Sequence, residues 1–131
     1  MRRHTTPPTI AEMEAIADEA FHSIPEELRR HVGNVVIQVE DFPTEEVGRE
    51  MGLESPFDLL GLYQGVSLDR KSLLDPGGHM DMIFLYRRPI LDYWCESEED
   101  LTHVVRHVLI HEIGHHFGLS DEDMDAIENQ D

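Results

Sequence analysis

Between Ile10 and Phe21 the apolar residues Ile10, Met13, Ile16, Ala17, Ala20 and Phe21 recur at steps of three and four, the period of one helix face. Thr9 stands where it can cap that helix, Glu12 three residues on completes a capping box, and Pro25 sets its end. A short further turn is expected over 25–30. Val35, Val36, Ile37 and Val39 then form a β-branched run between Gly33 and Pro43, read as a first, largely buried strand from Asn34 to Glu40. The acidic stretch 43–55 reads as a loop with a short helix around 44–51. Leu59 to Leu68 gives a second strand, and residues 69–79, with Asp75-Pro76-Gly77-Gly78, form a turn-rich rim loop.

From Met80 to Ile90, Met82, Phe84 and Tyr86 alternate with Ile83, Leu85 and Arg87, which predicts a third strand. Pro89 cannot donate a ladder hydrogen bond, so this strand is expected at a sheet edge. Ser97 is expected to cap the next helix, with Glu98, Glu99 and Asp100 in its first turn. Leu101, Val104, Val105, Val108 and Leu109 give that helix a broad apolar stripe, so it should be central and covered. The segment 121–131 reads as a short acidic helix anchored by Met124 and Ile127. The pattern predicts an α+β fold: an N-terminal helix, a small mixed sheet of three to four strands, a central helix and a C-terminal acidic helix. Residues 1–8, with Pro7-Pro8, read as a loose arm, and 9–131 as a single domain.

The central helix carries the chemistry. His103, His107, His111 and His115 form a ladder at four-residue spacing, so neighbours in it share a face one turn apart. Pairing His107 with His111 leaves Val108 in the place of a general base, whereas pairing His111 with His115 puts Glu112 there. The second pair is therefore read as the metal ligands. Gly118 follows three residues after His115, where a glycine in the left-handed conformation turns the chain back. Asp121 then returns as third ligand, in competition with Glu122 and Asp123, and spacing favours Asp121. Three protein ligands and a water make a catalytic rather than a structural zinc site, with Glu112 moving the water's proton. On this assignment His107 is a supporting or core histidine, His103 a surface one, and His116 a structural residue or part of a cleft wall.

His111-Glu112-Ile113-Gly114-His115-His116-Phe117-Gly118-Leu119-Ser120-Asp121 resembles the HExxHxxGxxD motif of zincin metallopeptidases, lengthened in the metzincin manner with aspartate in place of the usual third histidine. The run from Gly61-Leu62-Tyr63-Gln64-Gly65-Val66 through Ile83-Phe84-Leu85-Tyr86-Arg87-Arg88-Pro89-Ile90 to that motif is similar to the minimal zincin-like metallopeptidases of bacteria. Met124 lies too close to Asp121 to be equated with the methionine turn of metzincins. The resemblance implies one zinc ion per chain and a peptide or protein substrate, held by strand addition along an edge strand above the metal helix. By chain order that strand is 80–90. Tyr86, Arg87, Arg88 and His79 then lie in or near the substrate cleft as candidates to polarise a carbonyl.

Composition narrows the alternatives. In 131 residues, a hydrophobic fraction of 40% suffices for one modest core. The formal net charge of −18 argues against nucleic acid and anionic membranes as partners. Cys95 is the sole cysteine, so no internal disulfide forms, and it reads as a small packed residue. No apolar stretch follows Arg2 and Arg3 and none approaches a membrane span, which makes a cytoplasmic location the expectation. The reading is a zinc-dependent hydrolase cleaving peptide bonds. Its rival is a metal-holding module that binds peptide with little turnover, against which Glu112 speaks, because binding does not need it. Hydrolysis of RNA fits neither the glutamate nor the charge.

Overall fold

A computed structural model describes residues 6–32, 34–65 and 80–129. The rim loop expected over 69–79, including His79, lies outside the described residues. Along the chain come α1 (Ile10–Ser23), α2 (Glu26–Arg29), β1 (Asn34–Glu40), α3 (Glu45–Met51), a 3-10 turn (Pro56–Asp58) and β2 (Gly61–Gln64). β3 (Met80–Tyr86), α4 (Arg87–Glu96), α5 (Leu101–His116) and α6 (Asp121–Glu128) follow. The fold is α+β, as the pattern predicted, with a three-stranded mixed sheet among the described residues.

The sheet order is β1-β3-β2. β3 is central, parallel to β1 with Ile37 opposite Ile83, and antiparallel to β2 with Tyr63 opposite Ile83. This overturns the edge position expected for 80–90. The inference from Pro89 fails because the strand has already ended. The chain enters α4 at Arg87, and Pro89 sits in the first turn of a helix, where the missing N–H leaves no bond unmade. Among the described residues the edge positions belong instead to β1 and β2. Val36, expected to be buried, is accordingly exposed, while Val39 is covered.

Helix α1 packs on β1, α5 packs on β2, and the two helices pack on each other, which makes two layers. Ile83 and Leu85 from the sheet meet Val105, Leu109 and Ile113 of α5 and Met13, Ala17 and Ala20 of α1 in one continuous core. Thr9 and Glu12 form the expected capping box. Ser97 does not cap α5. It ends α4, and Asp100 takes the cap by accepting the N–H of Thr102. The missed element α4 shifts this boundary by three residues. The arm is fastened at its end, where the Arg87 Nε–H donates to the buried Pro8 carbonyl at 2.7 Å. Cys95 is exposed on α4, not packed, because the apolar face of that helix is carried by Ile90, Leu91 and Trp94. No helix among the described residues is long and apolar enough to cross a membrane.

Candidate metal centre

The end of α5 is built by local sequence. Gly118 has φ +77°, the left-handed value that penalises any Cβ. Its N–H donates to the His115 carbonyl at 3.2 Å, and the Leu119 N–H donates to the Gly114 carbonyl at 2.9 Å, the paired bonds of a Schellman turn. The turn delivers Ser120, whose hydroxyl accepts the Asp123 N–H at 3.1 Å and starts α6 at Asp121. Helix α6 then folds back along α5. Met124 and Ile127 are buried between them, and Met124 lies against Gly114, where a Cβ would overlap its Sδ. Arg106 closes the far end, donating from Nη1 to the Glu128 carbonyl at 3.1 Å and from Nε to Ser23 of α1 at 3.2 Å.

This docking sets out two groups of possible ligands along one face of α5. At the outer end, His115 Nε2 lies 4.0 Å from Asp121 Oδ1, with both side chains open to solvent at 59% and 89%. The His111 and His115 rings stand edge to face with centroids 5.8 Å apart. One turn inward, His107 Nδ1 is 2.6 Å from Glu128 Oε2, and His111 Nε2 is 3.3 Å from Glu128 Oε1. Donor atoms of His107, His111 and Glu128 all lie within 4.8 Å of one another. His111 belongs to both groups. Its Nε2 is buried, near enough to Glu128 to feel its charge but too poorly aligned for a hydrogen bond, so it lacks a proper partner.

The carboxylates differ in their surroundings. Burial pushes the Glu112 carboxyl up to about 7, against a lowering hydrogen bond from the Tyr63 backbone. Glu112 is therefore lodged between α5 and β2. A Cβ on Gly61 of β2 would meet Val108 Cγ1 at 2.9 Å and Glu112 Cγ at 3.4 Å, which makes glycine a condition of this close approach. Burial also acts to raise Glu128, but the hydrogen bond with His107 and the charges of His107 and His111 outweigh it and hold that carboxyl below its ordinary value.

The weaker cleft candidates stand elsewhere. Tyr86 is buried in the core, where burial and then the charges of Glu40 and Glu112 push its hydroxyl up to about 12. Arg87 is taken up by Pro8 and by Asp41, 3.1 Å away, and faces the arm, not the motif. Arg88 lies over the Phe42 ring at 5.6 Å. His103 pairs with Glu99 at 3.0 Å on the surface, as expected. His116 stacks on Tyr63 with centroids 4.0 Å apart. Tyr63 in turn donates its hydroxyl to Asp81 on β3, and burial followed by this bond raises its pKa.

Glu128 escaped notice in the sequence. Its signal was spacing: seven residues after Asp121, it shares that residue's side of α6 two turns later.

A buried imidazole nitrogen without a hydrogen-bond partner, carboxylates on the facing helix and a turn that returns Asp121 beside His115 make a donor set of the kind zinc takes. The model of the zincin-like metallopeptidase family matches residues 32–130. The chain belongs to that family. A search of curated proteins finds no match. For a zincin-like chain the expected metal is zinc, and two histidines with a carboxylate suit that ion. Zincin-like membership also suggests a peptidase.

Proposed function

We propose that the chain is a zinc-dependent peptidase in which His111, His115 and Asp121 hold the ion and Glu112 carries the proton. The observation that supports it best is the placement of Glu112. It is the one carboxylate of the motif drawn under the sheet, next to both His111 and β2, whereas Asp121 is open to solvent. Zinc with three protein ligands supplies Lewis acidity toward a carbonyl and acidifies the water it holds.

The chain's own residues do the rest. Glu112 accepts a proton from water and returns it to the leaving amine, a task suited to a carboxyl whose affinity for protons is raised by burial. The Tyr63 N–H fixes the orientation of that carboxyl. β2, at the border of the sheet among the described residues, takes the role earlier expected of 80–90. An extended peptide laid beside it would run past Glu112, held by main-chain hydrogen bonds. His116, stacked on Tyr63, stiffens this strand. The openness of His115 and Asp121 leaves the ion reachable by a substrate as large as a polypeptide.

The test is Glu112→Gln in a zinc-loaded chain assayed against a mixed peptide library. Metal content should match wild type and cleavage should vanish. Cleavage by Glu112→Gln at the wild-type rate would remove the general-base role and leave a peptide-binding module as the better account.

A further inference from the structure

His107 and Glu128, which stand with His111 in one group, are not used by the mechanism above. Two imidazoles and a carboxylate make a ligand set suited to zinc and its neighbours in the first transition row. Around a tetrahedral zinc, donor atoms are roughly 3.3 Å apart, given bonds of about 2.0–2.1 Å. His111 Nε2 and Glu128 Oε1 already stand at 3.3 Å, and the third donor lies within 4.8 Å of each. Glu128 is 13% exposed and touches both rings, one oxygen on each. The buried His111 Nε2 has Glu128 as its charged neighbour in this group and no hydrogen bond to satisfy it, as a nitrogen awaiting a cation would.

Building on the reading of the motif as a metal position, we propose that His107, His111 and Glu128 form a second position for a divalent zinc-like cation. It lies one helical turn inward and excludes occupancy of the first because both need His111. The geometry follows from the histidine ladder. Three consecutive rungs on one helix face offer two adjacent pairs, and α6 presents one carboxylate to each, Asp121 at its first residue and Glu128 two turns on. Asp121 sits at the exposed rim, whereas Glu128 is clamped by Arg106, which holds the carbonyl of the same residue. The inner position would thus keep an ion on the protein but away from Glu112, because the residue after His107 is Val108. Metal lodged there withdraws His111 from the HExxH set and leaves the chain loaded yet idle.

Cobalt(II) alone is the probe, titrated into the metal-free full chain and followed by its visible absorption and by metal-to-protein ratio. His115→Ala/Asp121→Ala removes the outer position and should still bind about one cobalt per chain with a tetrahedral spectrum. Adding His107→Ala and Glu128→Gln to that variant should weaken binding at least about tenfold. Failure of His115→Ala/Asp121→Ala to bind cobalt overturns the inner position, and so does binding that survives the added substitutions. Circular dichroism verifies that each variant is folded, and His115→Gln/Asp121→Asn replaces the alanine pair if it is not. The reverse variant, His107→Ala/Glu128→Gln, separates the two readings. If it binds no metal, the outer ligand set of the proposed peptidase fails while the inner one stands. If it binds and cleaves, the outer set holds, and the inner position is judged by the first variant alone.

Discussion

Replacing Gly114 by alanine pits two opposing effects against each other. In an ordinary helix interior, alanine is favoured over glycine by about 1 kcal/mol, because glycine loses more backbone freedom on folding. At position 114 the added Cβ would overlap Met124 Sδ and lie 2.7 Å from its Cγ. Met124 is fully buried between α5 and α6, so its flexible thioether has no empty space into which to turn. Overpacking of this kind costs about 1–3 kcal/mol. The clash is expected to win, with a net loss of up to about 2 kcal/mol in urea unfolding of the metal-free chain. Relief of the clash pushes α6 away from α5 and carries Asp121 and Glu128 with it, so metal affinity should fall as well. Met124→Ala alone should cost about 2–5 kcal/mol through the cavity it leaves. Combined with Gly114→Ala, the loss should be smaller than the sum, since the new methyl occupies part of that cavity. A Gly114→Ala chain that gains about 1 kcal/mol and binds metal as wild type does would show helix propensity alone at work and would refute the packing account of how α6 is placed.

Gly118→Ala places a Cβ at φ +77°, and should cost about 1–2 kcal/mol and weaken metal binding, as read by thermal unfolding and cobalt titration; an unchanged affinity would mean that the turn does not deliver Asp121. In the metal-free chain, Glu112 has a folded pKa of about 7 against an ordinary 4.5, so the folded state holds more protons than the unfolded one between those values. Stability should therefore fall as pH rises from about 4.5 to 7, by up to roughly 3 kcal/mol, and Glu112→Gln should flatten that slope relative to wild type. Tyr63→Phe removes the hydroxyl that bonds Asp81 and should cost about 1–2 kcal/mol in urea while leaving metal content unaltered; lost metal would show that β2 supports the ligands and not only Glu112. Cys95→Ser, at an exposed position, should shift stability by no more than about 0.5 kcal/mol.

What local sequence decides in this chain is the identity and ends of most elements and the chemistry of one helix. The three-and-four spacing from Ile10 to Phe21, the capping box at Thr9, the stripe from Leu101 to Leu109 and the glycine at 118 act over a few residues, and each appears as read. The HExxHxxGxxD spacing likewise states which side chains share a face, because a helix repeats regardless of what surrounds it. Tertiary structure decided the rest. Arg87-Arg88-Pro89 leaves the strand for a helix because proline is tolerated in a first helical turn, a choice the alternating pattern of 80–90 concealed. Which strand borders the sheet depended on β1 pairing parallel with β3, a contact between segments more than forty residues apart that no local pattern encodes. Glu128 joined His107 and His111 only because Met124 and Ile127 dock α6 along α5. Helix periodicity is a property of neighbouring residues, whereas the meeting of two helices depends on how all their buried faces pack together, and that is settled by the whole core at once.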